Sequence, residues 1–208
     1  MGLMRRIEYY LYNISARFRT LLGLHHISSR RALQRFLESG NREILFVCLG
    51  NICRSPYASA KLQELLRGTP FEDVRIISAG TNTSPGKFAD ETGAAVARKR
   101  SVDLSKHRTS KLSPELLTRA GLVIVMEPRH LRAVLETDPQ AKSKTIFLGE
   151  FGLAGGEQLI IRDPYGKTEA VFSSCFDRID LALTTLVREL LRNTRPRGEM
   201  DIMQPSEG

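Results

Sequence analysis

The 208-residue chain has only three cysteines and no long apolar run. Three cysteines are too few for the disulfide framework of a secreted protein, which favours a reducing compartment. No segment approaches the roughly 18 apolar residues that a membrane-spanning helix needs. The first residues, "MGLMRRIEYYLYN", lack the apolar region of a secretory signal, and Arg6 stands where a myristoylation pattern has Ser or Thr. We therefore expect a cytoplasmic protein.

Several kinds of binding site are also missing from the sequence. No His, Cys, Asp and Glu residues cluster with the spacing of metal ligands. The segment "SAGT" (78–81) has too few glycines for a dinucleotide-binding loop. The aromatic residues are not interleaved with basic residues as they are in nucleic-acid stacking surfaces. The sequence therefore predicts no metal, no cofactor and no nucleic-acid partner.

Acidic residues are scarce in the first 42 residues. Eight arginines and two glutamates give this region a net charge of +6, against +8 for the whole chain, so the remainder is nearly neutral. A first helix is predicted from the helical spacing of its apolar residues, which are Ile7, Leu11, Ile14, Phe18 and Leu21, and Gly23 interrupts it. A second helix is predicted to start at a Ser28 or Ser29 cap, to continue through Leu33, Phe36 and Leu37, and to end at Ser39-Gly40. We expect residues 1–42 to form a basic helical extension packed on the main domain. The alternative is a basic surface that contacts anionic lipid or a protein partner, and an organelle transit peptide suits the composition less well.

Strand and helix patterns alternate from Glu43 onward. Strands are predicted at 42–47, 74–80, 121–126 and 144–149, and helices at 56–67, 87–99, from 113, at 128–135 and at 168–191. This alternation predicts an α/β three-layer sandwich with a four-stranded parallel sheet of the flavodoxin or Rossmann type. Residues 43–193 are expected to form this domain, and the aperiodic residues 194–208 a flexible tail. Ligands of such sheets bind at the carboxyl ends of the strands.

The segment "CLGNICRSP" (48–56) joins the first strand to the first helix and has the composition of an anion-binding loop. Its backbone N–H groups can point inward around an anion, beside the positive N-terminus of the helix. Besides Cys48 and Arg54 the loop contains Leu49, Gly50, Asn51, Ile52, Cys53 and Ser55. Gly50 is expected to adopt the unusual backbone angles of the turn, and Asn51 to bond its own backbone. Ser55 is expected near the helix N-cap, before Pro56 at the first helical position.

Cys48 and Arg54 give this loop its chemistry. The guanidinium group offers two parallel donors to the oxygens of a phosphate. The same donors and the helix N-terminus stabilise a thiolate at Cys48, which can then attack phosphorus. Ser55 can donate a hydrogen bond to this thiolate and ease its later departure. Cys-x5-Arg alone is a weak pattern, because many buried cysteines are only small apolar residues.

The wider set of motifs resembles the low-molecular-weight protein tyrosine phosphatase family. "CLGNICRSP", "SAGT" (78–81), "HRTSKL" (107–112), "LVIVME" (122–127) and "DPYG" (163–166) occur in the order expected of that family. The resemblance spans about residues 43–191 and implies a protein tyrosine phosphatase with a cysteinyl-phosphate intermediate. It implies Cys48 as nucleophile, Arg54 as phosphate ligand and Asp163 as general acid and then general base. Asp138, in "DPQ", shows that an Asp-Pro pair alone is not diagnostic.

The resemblance also implies roles for residues around the reacting group. Leu49, Ile52 and Tyr165 would line a slot for the phosphotyrosine ring, and relatives that act on phosphoarginine have Thr in place of Ile52. Arsenate-reducing relatives use further cysteines soon after the first helix, and this chain has none between Cys53 and Cys175. Cys53 is either a redox partner that captures an oxidised Cys48 or a packing residue. His107, His130 and Cys175 are predicted to be structural.

Three alternatives stay open beside phosphotyrosine hydrolysis. They are arginine-phosphate hydrolysis, arsenate reduction and the binding of a phosphoprotein without catalysis. Binding alone needs neither a thiol nor an acid, so the joint presence of Cys48, Arg54, Ser55 and Asp163 favours an enzyme. We expect a tyrosine-phosphorylated protein as the partner, and similar bacterial enzymes point to a tyrosine kinase.

Overall fold

A four-stranded parallel sheet organises the part of the chain that the computed structural model describes, residues 24–152 and 160–193, with side chains from residue 29 onward. Its strands are β1 (Glu43–Cys48), β2 (Arg75–Gly80), β3 (Leu122–Val125) and β4 (Thr145–Phe147), in the order β2-β1-β3-β4. Every residue of the central strand β1 is buried, as the absence of polar alternation in its sequence predicts. The carboxyl ends of β1 and β2 meet where Cys48 pairs with Gly80.

Helices cover both faces of the sheet. They are α1 (Leu24–Glu38), α2 (Arg54–Leu65), α3 (Glu91–Arg98), α4 (Pro114–Arg119), α5 (Pro128–Thr137) and α6 (Glu169–Arg192), with 3-10 helices at Pro139–Lys144 and Leu148–Phe151. On one face Tyr57 of α2 stacks on Phe176 of α6, with ring centroids 3.7 Å apart. On the other face Leu117 and Val134 pack in a separate apolar cluster. The predicted three-layer α/β fold is confirmed.

Two predicted elements are shorter in the structure, for local reasons. The helix predicted at 87–99 spans Glu91–Arg98, because Asp90 is its N-cap and accepts a hydrogen bond of 2.9 Å from the Gly93 N–H. The strand predicted at 144–149 spans Thr145–Phe147, because the chain turns into a 3-10 helix at Leu148. The first shortening leaves residues 82–89 as a loop beside the carboxyl edge of the sheet.

The end of the predicted N-terminal extension lies against the sheet. The start predicted for its second helix is wrong, since α1 runs from Leu24 through both Ser28 and Ser29 instead of being capped there. Ala32, Leu33 and Phe36 are at most 2% exposed and join the same core as α2 and α6. The earlier stripe of Ile7, Leu11, Ile14, Phe18 and Leu21, the predicted break at Gly23 and the predicted tail at 194–208 lie outside the described residues. No helix of the described ranges is long and apolar enough to cross a bilayer.

Candidate active site

The loop after β1 forms the floor of a cavity at the carboxyl edge of the sheet. Cys48 ends the strand and is 2% exposed. A Cβ atom at Gly80 would lie 2.9 Å from the Leu49 carbonyl oxygen and 3.0 Å from the Asn51 nitrogen, so β2 lies too close for a larger residue there. The cavity has a volume of about 200 Å³ and is lined by Cys48, Leu49, Gly50, Ile52, Cys53, Arg54, Asn82, Thr83, Lys87, Asp163 and Tyr165. The structure thus gathers the predicted nucleophile, phosphate ligand and acid around one space.

The Cys48 sulfur lies within a small set of hydrogen-bond donors. The Asn51 backbone N–H donates to Sγ over 3.2 Å, and the Ser55 hydroxyl lies 2.9 Å from Sγ. Both contacts are buried. Hydrogen bonds to the charged form favour that form, so this arrangement stabilises a thiolate.

The direction of the Ser55 hydrogen bond follows from its neighbour Asn51. The backbone N–H of Ser110 can only donate, so the atom that it contacts at 2.8 Å is the Asn51 carbonyl oxygen Oδ1. Asn51 Nδ2 therefore donates to the hydroxyl oxygens of Ser55 and Ser78, both at 2.9 Å. With its oxygen accepting from Asn51, the Ser55 hydroxyl keeps its own hydrogen for the sulfur of Cys48.

Three local predictions about this loop are wrong in detail. The left-handed backbone angle falls on Asn51 (φ 54°) and not on Gly50. The Asn51 side chain bonds Ser55, Ser78 and Ser110 instead of its own backbone, because these groups satisfy all of its hydrogen-bonding atoms. Pro56 is not at the first helical position: α2 begins at Arg54, so Pro56 is its third residue, Ser55 its second, and the N-cap is Cys53, which makes no side-chain capping bond.

His107 supports the unusual backbone of Asn51. Its Nε2 lies 2.7 Å from the Asn51 carbonyl oxygen, so this nitrogen carries the hydrogen and donates. Burial lowers the pKa of His107 below its usual value, which favours the neutral ring. The interaction agrees with the structural role predicted for this histidine.

Arg54 is held by charges on two other segments. Its Nη1 donates to Glu127 Oε1 over 2.6 Å and to the Ile161 carbonyl over 3.0 Å, and its Nη2 lies 2.5 Å from Asp163 Oδ2. Burial opposes the positive charge, but Cys48, Asp163 and Glu127 outweigh it and raise the pKa of Arg54. A permanently charged guanidinium fixed in this way is a built site for an oxyanion.

Glu127 and Arg129 belong to the site although the sequence analysis gave them no role. Arg129 Nη2 donates to Glu127 Oε1 over 2.7 Å and to Asp163 Oδ2 over 3.3 Å. Glu127 is 7% exposed and lies just beyond the carboxyl end of β3, next to β1 in the sheet. An acidic residue two positions after the apolar strand "LVIV" was the available signal.

His130 lies beneath Glu127 and is fully buried. Its Nε2 is 3.5 Å from Glu127 Oε1, and neither ring nitrogen has a hydrogen-bond partner in the described part of the chain. Burial, reinforced by the positive charges of Arg54 and Arg129, lowers its pKa to about 2. The ring is therefore neutral at physiological pH and takes no part in proton transfer.

The remaining predicted residues have distinct surroundings. Leu49, Ile52 and Tyr165 all line the cavity, and Tyr165 is 61% exposed at its mouth. Cys53 is buried with a free thiol, whose pKa is raised by burial and by the nearby Asp90 and Cys48 charges. Burial likewise raises the pKa of Cys175 to about 12, and its thiol contacts the Arg162 carbonyl oxygen. Within residues 24–152 and 160–193, no His, Cys, Asp or Glu cluster is arranged to hold a metal ion.

A buried thiol with hydrogen-bond donors, a fixed guanidinium and a neighbouring carboxylic acid define the site of a cysteine-dependent phosphatase. A sequence model described as "Low molecular weight phosphotyrosine protein phosphatase" matches residues 43–196. The chain belongs to this family and is a protein tyrosine phosphatase.

Individual relatives agree with this assignment. The low-molecular-weight protein-tyrosine-phosphatase Etp of Escherichia coli K12 is 34% identical over 149 residues, which cover 72% of this chain and 95% of Etp. The crystal structure of the Erwinia amylovora tyrosine phosphatase AmsI superposes with a TM-score of 0.65 at 32% identity, covering 71% of this chain and 92% of AmsI. The YwlE arginine phosphatase of Geobacillus stearothermophilus gives 0.64 at 31% identity, covering 73% and 94%. The fold alone therefore does not separate phosphotyrosine from phosphoarginine substrates.

Proposed function

We propose that Cys48, Arg54 and Asp163 hydrolyse the phosphate ester of tyrosine in two steps. In the first step the Cys48 thiolate attacks phosphorus, the bond from phosphorus to the phenolic oxygen breaks, and Asp163 gives its proton to that oxygen. In the second step Asp163 takes a proton from a water molecule that attacks phosphorus, and the phosphorus–sulfur bond breaks. Arg54 and the loop amides bind the phosphate oxygens throughout.

The observation that carries this proposal is the contact between Arg54 and Asp163. Because Asp163 Oδ2 lies 2.5 Å from Arg54 Nη2, a phosphate bound to this guanidinium has the carboxyl group beside it. Cys48 Sγ and Asp163 line the same cavity. The Ser55 hydrogen bond supports the second step, since it stabilises the sulfur as a leaving group.

We propose phosphotyrosine, in a protein, as the substrate. Leu49, Ile52 and Tyr165 give the cavity apolar walls that suit a flat aromatic ring. The structural similarity to the YwlE arginine phosphatase supports the phosphoarginine alternative. By the family resemblance, however, Ile52 stands where enzymes that act on phosphoarginine have Thr. A tyrosine kinase is the kind of phosphoprotein that we infer as partner, and the cytoplasm is the compartment that we infer.

Site variants and a substrate panel test this proposal. Cys48→Ser should abolish turnover of an aryl phosphate, and Asp163→Asn should reduce kcat by about 100-fold or more, since one proton transfer contributes 10²–10⁴. EDTA should leave the rate unchanged. Comparison of phosphotyrosine, phosphoarginine and arsenate should show a preference for phosphotyrosine. Full activity of Cys48→Ser would contradict the nucleophile assignment, and a preference for phosphoarginine would contradict the substrate.

For Cys53 we propose a protective redox role. It lies in the same short loop as Cys48 and lines the same cavity, so a sulfenic acid formed on Cys48 by peroxide can condense with the Cys53 thiol and release water. In Cys53→Ser, excess peroxide should oxidise the unprotected sulfenic acid further to the sulfinic acid, so dithiothreitol should no longer restore activity. Equal recovery of the wild type and this variant would leave Cys53 as a packing residue.

For the N-terminal region we propose contact with an anionic surface through its arginines. Since Ala32, Leu33 and Phe36 are core residues, the test is removal of residues 1–23 and not of the whole predicted extension. The truncated protein should keep its phosphatase activity and bind more weakly to vesicles that contain phosphatidylserine, because four of the eight arginines of the region are removed. Unchanged vesicle binding would contradict the proposal.

A further inference from the structure

A cationic surface borders the cavity, and the catalytic steps do not use it. We call Lys87, Phe88 and Arg108 the cationic rim. Lys87 lines the cavity together with Cys48 and Asp163. Phe88, the next residue, is 64% exposed, and the Arg108 guanidinium carbon lies 3.7 Å from the centroid of its ring. Lys87 thus places a positive charge on the cavity wall, and the Phe88 ring and the Arg108 charge adjoin it.

Hydrogen bonds hold the rim in place. Two hydrogen bonds join Lys87 and Thr109. Lys87 N donates to the side-chain oxygen Thr109 Oγ1 over 2.8 Å, and Thr109 N donates to the Lys87 carbonyl over 2.8 Å. Thr109 itself is 3% exposed. Asp90 N donates to the Ile52 carbonyl over 2.9 Å, which ties the same loop to the catalytic loop. The rim therefore has a fixed position relative to Cys48.

The Arg108 side chain is also constrained. Its Nη1 donates to the carbonyl oxygens of Ser105 and His107, at 3.2 and 2.7 Å. These bonds and the Phe88 ring fix the guanidinium plane without neutralising its charge. A pre-positioned cation loses less conformational entropy on binding an anion than a flexible one does.

Unlike several other cations on the surface, the rim cations have no carboxylate paired with them in the part of the chain that the structure describes. Lys61, Lys99 and Arg100 form ion pairs with Glu64, Glu169 and Asp177. Among the residues that the structure describes, neither Lys87 nor Arg108 has such a partner. The acid nearest in sequence to Lys87 is Asp90, whose carboxylate caps α3 through the Gly93 N–H.

We propose that the cationic rim binds an acidic side chain of the substrate protein, within a few residues of the phosphotyrosine. This inference rests on the phosphotyrosine activity and adds a preference for sequence context. Lys87 and Arg108 attract the carboxylate, and the Phe88 ring packs against the methylene groups next to it. The rim thus selects acidic phosphotyrosine segments over neutral ones.

Two phosphotyrosine peptides that differ only in flanking Glu or Gln residues test the proposal. The measured quantity is the ratio of kcat/KM for the Glu peptide to that for the Gln peptide. We expect a ratio of about 10 for the wild type in 50 mM salt, and a loss of about threefold in Lys87→Gln and in Arg108→Gln, as for exposed ion pairs. The double variant should approach a ratio of one, and 0.5 M salt should lower the wild-type ratio in the same direction.

Lys142→Gln is the matched control, because Lys142 is an exposed cation before the amino end of β4, at the opposite edge of the sheet from Cys48. It should keep the wild-type ratio. Turnover of p-nitrophenyl phosphate, measured in the same series, reports the phosphatase activity by itself. If turnover is present and the wild-type ratio is one, the rim proposal alone is overturned. It is also overturned if Lys87→Gln lowers kcat/KM equally for both peptides, since Lys87 would then interact with the phosphate group that both peptides share.

Discussion

The two sides of the active site are built from different interactions. The thiol side consists of Cys48, Asn51, Ser55, Ser78 and Ser110, and its hydrogen bonds join the sulfur, hydroxyl groups, an amide side chain and backbone N–H groups. Asn51 and Ser55 are completely buried.

The acid side consists of Arg54, Glu127, Arg129 and Asp163, which are joined by ion pairs. The side chains of Asp163 and Arg129 are 28% and 48% exposed.

This difference matches what each side has to do. Hydrogen bonds donated by neutral buried groups are directional and little affected by salt, so they keep the Cys48 sulfur and its donors in one geometry. Ion pairs near the surface are weaker and can exchange partners, and Asp163 shares Arg54 with any phosphate that binds there. The sulfur, which must stay fixed, is therefore held by neutral groups, whereas the groups that handle protons and an incoming anion are charged.

Among changes that leave Cys48, Arg54 and Asp163 in place, the largest effect is expected from reversing one hydrogen bond on the thiol side. Asn51→Asp keeps the shape of the side chain and tolerates the left-handed backbone angle, but it replaces the Nδ2 donor with an acceptor. The Ser55 hydroxyl should then turn to the new carboxylate and leave the sulfur, while the added negative charge disfavours a thiolate. We expect kcat to fall about 100-fold, or about 2.7 kcal/mol. Steady-state kinetics and the rate of Cys48 alkylation by iodoacetamide measure this effect.

Asn41→Asp is the matched control for this change. Asn41 accepts a bond from the Glu43 N–H and donates to the Arg119 carbonyl, at the amino end of β1 far from the sulfur. The Asn41→Asp variant makes the same replacement of an amide by a carboxylate and should have the wild-type kcat. A kcat for Asn51→Asp within twofold of the wild type would mean that the neutral network does not govern the thiol.

A smaller effect is expected from removing one charge on the acid side. Arg129→Met deletes the bonds to Glu127 and Asp163, while Arg54 keeps its contacts with Glu127 and the Ile161 carbonyl. Asp163 should be less well held over the leaving group, so kcat for a phosphotyrosine peptide should fall about threefold with little change in KM. An activated aryl ester, which needs less protonation, should be affected less.

Salt and a neighbouring arginine provide the controls. If the pair acts through charge, the wild-type kcat should decline toward that of Arg129→Met as sodium chloride rises to about 0.5 M. Arg132→Met removes an exposed arginine from the same helix, where it pairs with Glu136, and should behave as the wild type does. A rise in KM without a fall in kcat would show that Arg129 acts on phosphate binding instead.

The site residues that are neighbours along the chain were predicted as one set, and the structure places them around one cavity. The loop from Cys48 to Ser55 is contiguous, so its residue types alone indicate an anion site. Glu127 was missed because its contact with Arg54 depends on β3 lying beside β1, and the helix–strand alternation does not determine strand order. The role of Asn51 was misjudged for a similar reason: its partners Ser78 and Ser110 come from distant segments, and these replaced the local backbone bond.

The charge distribution of the sequence set the N-terminal region apart as a separate extension. In the structure, however, buried residues of α1 pack the end of this region into the core. Arg30 and Arg31 are exposed on α1, and Leu33 and Phe36 on the same helix are buried. Such an amphipathic helix exposes its charged face to solvent and packs its apolar face against the core. A count of charges could not reveal the buried face, although the apolar spacing around Leu33 did indicate it.

The smallest effect on activity is expected at His130, where the acid side meets the core. The unfolded chain protonates this histidine below its ordinary pKa of 6.5, but the folded protein does not, because its pKa there is about 2. A histidine with a lowered folded pKa makes the protein less stable as pH falls, by about 1.4 kcal/mol per unit below 6.5. Between pH 7.5 and 5.0 this amounts to about 2 kcal/mol.

His130→Leu should remove that part of the acid sensitivity. Neither ring nitrogen is hydrogen-bonded, so the apolar replacement should change stability at pH 7.5 by less than about 1 kcal/mol. Urea unfolding at the two pH values gives the change in the free energy of unfolding between pH 7.5 and 5.0 for each protein. The contributions of His107 and the carboxylates are the same in both proteins, so they cancel when the wild type and the variant are compared. An unchanged difference would mean that His130 takes up a proton in the folded state, with Glu127 as its only acidic neighbour at 3.5 Å among the described ion-pair contacts. Burial and the nearby charges of Arg54 and Arg129 would then fail to keep the ring neutral.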